Sequence, residues 1–315
     1  MEGIMKGKAQ PIFLSSALIA VLLTVDSRLQ SEGQTATEAK VETISLGIVS
    51  TKPQKRIEEH RDFVDYLARK LSSTQDIKGS VIVAPAPLEL AKLLIERKVD
   101  FYMDSPYPTF IINKHTDGRV LLRRWKGGVS EYRSILFTKR NSGVTRLEDL
   151  LGKILAFEDP GSTSGYFLPK ALLHRRGFSL TEKPSFQADV SAREIGYLFA
   201  GGSEKNILNW VLSRKVAAGA FSDNDLDPLD EKTKAEIVVL AETERFPRHF
   251  FSVRKDLDRS LVNRLKEILL SMHRDPEGQK ILQKTDNTTK FDLLPGGEET
   301  LRRKIKEVFN PRSTN

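Results

Sequence analysis

Cysteine is absent from all 315 residues. That excludes disulfides, thiolate nucleophiles, cysteine-ligated metals and a lipid anchor attached through cysteine. The compartment must be read from something other than redox chemistry. No apolar run reaches the ~20 residues of a comfortable membrane span. There is no short-period repeat and no low-complexity tract. Histidine is scarce, at five residues, and no two stand at metal-ligand spacing. Neither His-Glu-x-x-His nor Gly-x-Ser-x-Gly occurs. The nucleophile–base or metal constellation that catalysis needs is missing, so the chain reads as a binding protein and not an enzyme. No cofactor and no metal are expected. His60, His174 and His273 lie in charged helical segments. His249, between Arg248 and Phe250, is the histidine worth following.

What is present begins with charge. The net charge is +8 and the sequence pI is near 9.4. The basic residues are mixed with acids along helices, as in Lys55-Arg56-Ile57-Glu58-Glu59-His60-Arg61. No basic run interleaves with aromatics, so nucleic acid is not an expected partner. The excess gives weak long-range attraction for a small anionic ligand. At the N-terminus, Lys6 and Lys8 precede an apolar run from Ile12 to Val25, and a polar stretch follows from Asp26 to Lys40. That is the layout of a secretory signal. It assigns 1–28 to a signal peptide or anchor and 29–43 to a polar spacer. No clean small-x-small cleavage site stands just after Val25, so an uncleaved tether stays open beside a periplasmic or exported soluble protein.

Beyond the spacer, short apolar strands alternate with amphipathic helices. Ile44–Val49, Val81–Ala84 and Val99–Met103 read as strands, with helices carrying Phe63, Leu67 and Leu71, then Leu90, Leu93 and Leu94. Val120–Trp125 and Ser134–Thr138 add two strands. The pattern restarts with Lys153–Phe157, Val216–Phe221 and Ile237–Ala241, before Phe250–Val253 and closing helices. This alternation means an α/β fold with mainly parallel sheets. Two successive sets suggest two lobes: 44–135, 136–241, and a return to the first over 242–315. Ligands of such sheets bind beyond the strands' carboxyl ends. The loops Ser50–Pro53, Asp104–Tyr107, Asp159–Tyr166 and Ser222–Asp225 lie there, and a cleft between lobes would gather them.

The third of these loops is the most informative. Ile154-Leu155-Ala156-Phe157 reads as a buried strand, and Asp159-Pro160-Gly161 ends it with turn chemistry. Ser162, Thr163 and Ser164 follow, and a helical pattern begins at Tyr166. Three hydroxyls thus stand where a strand hands over to a helix. The first N–H groups of a helix lack internal partners and carry positive potential. Gly161 and Gly165 let the backbone approach a ligand closely. This is a way to hold a tetrahedral oxyanion without a metal. A nucleotide P-loop is excluded, because Tyr166 stands where that motif needs lysine.

The run Phe157-Glu-Asp-Pro-Gly-Ser-Thr-Ser-Gly-Tyr-Phe-Leu-Pro169 resembles the phosphate/phosphite/phosphonate-binding proteins of ABC transporters, the PhnD-like family. Val99-Asp100 before a Ser-Pro step, Tyr132-Arg133-Ser134 and Val216-Ala217-Ala218-Gly219-Ala220 support it. The resemblance covers about 44–309. It implies an α/β, two-lobe, type II periplasmic-binding-protein fold with the ligand cleft between lobes, hinged near Tyr132–Thr138 and Ala241–Phe246. It implies capture of a phosphorus oxyanion by a monomer that serves an inner-membrane ABC permease; a membrane-anchored sensor of the same fold is the alternative. Ser162, Thr163, Ser164 and Tyr166 would hold the oxyanion. Asp104, Tyr107, Thr51, Ser203, Asp223 and Asn224 complete the expected ligand-binding set. Two departures stand out. Asp104 replaces an aromatic or apolar residue, and Ser203-Glu204 stands where the family often has histidine. Asp104 and Asp223 facing one cleft would favour a ligand with an ammonium or a protonated oxygen.

Overall fold

The computed structural model describes residues 43–72 and 77–309. The signal or anchor read at 1–28, and the spacer up to residue 42, lie outside the described residues. The chain first forms β1 (Thr43–Val49), α1 (Pro53–Leu71), β2 (Lys78–Ala84), α2 (Pro87–Ile95), β3 (Phe101–Asp104), α3 (Pro106–Thr116) and β4 (Arg119–Lys126). It crosses through β5 (Glu131–Tyr132) into β6 (Ser134–Lys139), β7 (Ile154–Phe157), α4 (Leu168–Arg175), β8 (Ser179–Glu182), β9 (Glu194–Phe199), α5 (Glu204–Leu212), β10 (Ala218–Ser222), α6 (Asp223–Leu226), α7 (Glu231–Ala235) and β11 (Ile237–Glu242). It returns through β12 (Phe246–Pro247) to β13 (His249–Val253), α8 (Arg259–Ser271), α9 (Pro276–Lys284), β14 (Thr288–Asp292) and α10 (Gly297–Phe309).

Two six-stranded sheets result, ordered β14-β4-β13-β3-β1-β2 and β11-β6-β10-β7-β9-β8. They are mixed, which corrects the expectation of mainly parallel sheets. β1 runs parallel to β2 and β3, and β7 parallel to β9 and β10. β13 and β6 are antiparallel to their neighbours. Each enters its sheet straight from the crossing, without the helical crossover that makes a parallel pair. The crossing is a two-stranded ribbon in which Phe246 pairs with Tyr132 and Pro247 with Glu131.

Local chemistry explains the elements that aim the cleft. α1 opens with proline in its first turn and ends with Arg69 and Lys70 near its negative pole. Its stripe of Phe63, Val64, Leu67 and Leu71 is buried against the first sheet. All of β7 is buried. Leu155 and Phe157 pack on one face, Ile154 and Ala156 on the other, as the strand period of two requires. At Gly47 an added Cβ would come within 2.5 Å of Leu90 Cδ1, so α2 lies close upon β1 only because the residue is glycine.

Two acidic residues pin this frame. Asp223 accepts the backbone N–H of Arg133 at 3.2 Å and lies 3.2 Å from the Arg245 guanidinium. Those arginines belong to the two crossing segments, so one carboxylate ties both. Asp286, in the left-handed turn between α9 and β14, meets Arg56 at 2.6 Å, Arg124 at 3.2 Å, His60 at 3.6 Å and Lys126 at 3.8 Å. Burial opposes its charge, but the His60 hydrogen bond and the Lys126 and Arg124 charges hold its carboxyl far below the ordinary range. Removing one partner of such a cluster leaves uncompensated buried charge. Asp286→Asn should therefore lose about 3–5 kcal/mol of unfolding free energy, measured by urea titration; a change near zero would show that the cations have other support.

Candidate functional site

The strand-to-helix corner after β7 is built from its own side chains. Ser162 caps the turn: its Oγ accepts the Gly165 N–H at 2.9 Å and donates to Glu158 at 2.6 Å. The following turn, Thr163–Phe167, is wide, with the Phe167 N–H reaching back to the Ser162 carbonyl. Wide turns of this kind collect at functional sites. A Cβ on Gly165 would fall within 2.5 Å of Glu158 and 2.9 Å of Ser162 Oγ. That glycine makes room for the Glu158–Ser162 pair, not for a ligand as its position suggested.

Thr163 joins the lobes. It is almost wholly buried; its hydroxyl donates to Ser105 Oγ at 3.0 Å and accepts the Tyr107 N–H at 3.0 Å. Ser105 and Tyr107 begin α3, so two helix starts meet at this residue. Tyr107 stacks on Phe167 beside it.

Around this junction lies a cavity of about 520 Å³. The first lobe lines it with Val49, Pro85–Pro87, Asp104, Ser105, Lys126, Arg248 and His249. The second contributes Glu158–Ser164, Glu204, Ser222 and Asp225, and Tyr132 comes from the crossing. The walls differ in charge. The first-lobe wall carries Lys126 and Arg248, and the second carries Glu158, Asp159, Glu204 and Asp225 with no cation.

Desolvation dominates the titration of these groups. Burial raises Asp104 to about 7, against the N–H of Ser105 and the charge of Lys126. It raises Asp225 to about 6, with Glu204 adding repulsion. Glu158 also rises through burial, although its bond from Ser162 favours the ionised form. Burial and the charges of Arg124 and Lys126 push His249 well below its ordinary value, so its ring is neutral.

The residues expected from sequence are distributed unevenly. Ser162, Thr163, Ser164 and Asp104 line the cavity. Tyr166 does not: it is buried in the second lobe against Phe157, Tyr197 and Phe199, with Lys170 bonded to its hydroxyl at 2.5 Å. Tyr107 contributes its backbone N–H to Thr163 and is not among the lining residues. Thr51 is exposed in the loop after β1. Ser203 caps α5 by accepting the Asn206 N–H at 3.3 Å, leaving Glu204 on the cavity. Asp223 is drawn to Arg133 and Arg245, which corrects the expectation that it shares the cleft with Asp104. Asn224 donates to the Ser222 hydroxyl. Ser222 and Asp225 line the cavity in their place. Among the described residues no group of three or more His, Asp or Glu could hold a metal ion.

Lys126, Arg248, Glu158, Glu204, Asp225, Ser105 and Ser222 were not in the expected set. Glu158 and Asp225 lie inside segments that sequence had singled out, and Arg248 adjoins His249. Lys126 left no local signal, being one of several cations along β4.

The sequence profile of the family described as "ABC transporter, phosphonate, periplasmic substrate-binding protein" matches residues 46–294. The chain belongs to this family. It is 26% identical over 202 residues to the phosphate-import protein PhnD of Mycolicibacterium smegmatis. That match covers 62% of this chain and 60% of the relative, so the chain spans about three-fifths of the curated protein's length. XAC2383 of Xanthomonas citri, solved with chloride and with ATP, is 26% identical with TM-scores of 0.77 and 0.76, covering 85% of this chain and 96% and 95% of that one. PhnD1 of Prochlorococcus marinus, in complex with methylphosphonate, shares the fold at TM-score 0.59 and 15% identity, covering 85% of this chain and 98% of its own. These neighbours are two-lobe, type II binding proteins, and this chain has that α/β architecture.

The raised carboxyl groups give a pH test. Asp104 titrates near 7 when folded and near 3.9 when unfolded, so the native state holds more protons between those values. Its stabilising contribution is full below about pH 4 and is lost as pH rises through about 7. Asp104→Asn removes that slope. Relative to wild type, the variant should gain roughly 1–3 kcal/mol between pH 4.5 and pH 8, read from urea unfolding at each pH. Parallel wild-type and variant curves would place Asp104 in full contact with water.

Proposed function

We propose that this protein captures a small phosphorus oxyanion in the interlobe cleft and delivers it to the permease of an ABC importer. The observation that carries the reading is the Ser162–Ser164 corner: the Ser164 hydroxyl and the N–H groups of a helix start open onto a cavity whose facing wall bears Lys126 and Arg248. Family membership and the phosphate-import name of a relative support it, as does a chain bound to ATP at 26% identity. The site binds and releases without turnover, and the protein works outside the inner membrane as a monomer. The acidic second-lobe wall suits a ligand that also carries an ammonium. Asp104 and Glu158, when protonated, donate to an oxyanion that their ionised forms would repel. Capture proceeds by rotation of the lobes about the β5–β12 ribbon, with Asp223 holding the ribbon's two flanks.

Titration calorimetry with phosphate, methylphosphonate and 2-aminoethylphosphonate tests this reading. Losing one charge-assisted hydrogen bond costs about 1.5–3 kcal/mol, so Ser164→Ala should weaken the best ligand by about 10–100-fold, and Ser162→Ala, which strips Glu158 and the Gly165 N–H of their partner, should weaken it by distorting the corner. Binding should tighten from pH 8 to pH 6, and small-angle scattering should show a smaller radius of gyration at saturation. Unchanged affinity in both variants, or tighter binding at pH 8, would remove the corner or its proton from the account.

A further inference from the structure

The first-lobe wall holds more positive charge than the frame behind it neutralises. Asp286 answers Arg56 and Arg124, and Lys126 reaches it only at 3.8 Å. Arg248 follows the crossing ribbon directly. Among the described residues it makes no ion pair, and its guanidinium rests over the Tyr132 ring at 5.7 Å. Its neighbour His249 lines the same cavity, with Nδ1 buried and without a hydrogen-bond partner. A buried N–H left unpaired is rarer than an unpaired acceptor, so the ring's proton belongs on Nε2. Two cations and a neutral donor thus face the cavity from one wall, with Asp104 as the one carboxyl among them.

The oxyanion corner lies on the other lobe, and its hydrogen-bond capacity is local. Ser164 supplies a hydroxyl and the helix start supplies N–H groups, while Ser162 is engaged with Glu158 and the Gly165 N–H. A phosphonate head and its methyl group amount to five heavy atoms. A cavity of about 520 Å³ falls within the range of sites for whole organic molecules, ~300–1,000 Å³. The head occupies the corner, and Asp104 is the one carboxyl on the wall that bears Lys126 and Arg248, which leaves that wall an excess of positive charge.

We infer that the ligand carries a second anionic group, a carboxylate, held by Arg248 and Lys126 with His249 as an added donor. The inference rests on the oxyanion reading and narrows it to the phosphonocarboxylates. With the acidic second-lobe wall taking an ammonium, the class becomes the phosphono-amino acids. Arginine presents a planar fork that matches a carboxylate with two parallel bonds.

The comparison uses 2-aminoethylphosphonate and 2-amino-3-phosphonopropionate, which differ only by the carboxylate. Wild-type protein should bind the second at least about tenfold more tightly by calorimetry, the gain of one charge-assisted contact. Arg248→Gln should erase that advantage by weakening 2-amino-3-phosphonopropionate at least about tenfold more than 2-aminoethylphosphonate, and Lys126→Met should reduce it in part. Thermal melts of each variant at its wild-type midpoint would confirm intact folding. Equal wild-type affinity for the two compounds overturns the inference, as does an equal loss of both in Arg248→Gln, because the guanidinium would then hold the phosphonate head. If wild type binds neither phosphonate nor phosphate, the oxyanion reading fails and this one fails with it. If phosphonates bind and the carboxylate adds nothing, only this one fails.

Discussion

Removal of water from a space crowded with ionisable groups governs this molecule. Asp104, Glu158, Asp225, Lys126 and His249 all move toward their neutral forms, and burial is the largest cause for each. Such groups are tolerable in a closed cleft only if they exchange protons or meet charges of the opposite sign. The cleft does both. Its carboxyls hold protons into the neutral range, and its cations share a wall with Asp104 and stand opposite Glu158, Asp159, Glu204 and Asp225.

The surrounding structure keeps these charges apart. Asp286 gathers four basic side chains from α1 and β4 behind the first-lobe wall, so that Lys126 and Arg248 face the cavity while Arg124 stays inside. Asp223 does the corresponding work at the crossing, where Arg133 and Arg245 would otherwise leave unanswered charge beside the ribbon. The C-terminal helix closes the back of this region. Leu301 and Ile305 of α10 share a cluster with Tyr132 and Phe246 of the ribbon, Leu168 of the second lobe and Phe250 of the first. The contacts that surround the crossing and the contacts that build the site therefore share residues: Tyr132 lines the cavity and belongs to this cluster.

The fold and the corner could be read from sequence to the extent that their signals are local. An apolar run, Asp-Pro-Gly and three hydroxyls specify a strand, a stop and a helix start within a dozen residues. β9 escaped because Glu194-Ile195-Gly196-Tyr197-Leu198-Phe199 follows a long irregular stretch and contains a glycine, although it ends up paired between β7 and β8. β5 and β12 escaped because two residues show no periodicity. The acidic loop shows the limit within a site. Asp225 bonds the Ser222 N–H at 3.1 Å as part of a helix cap, while Asp223, two residues earlier, is claimed by arginines from both crossings. Which of two neighbouring carboxylates meets the cleft is decided by partners about 20 and 90 positions away. The same holds for Lys126 and Arg248, which are unremarkable in sequence and are brought to one wall by β4 and β13.

A crystal structure of the protein at saturating methylphosphonate, the smallest ligand that carries the proposed head group, tests the central claim most directly. The account predicts the phosphonate oxygens within hydrogen-bonding distance of Ser162 and Ser164, with the lobes meeting at Thr163 and Ser105. A phosphonate bound away from that corner, or a cleft holding only water at saturation, would contradict it.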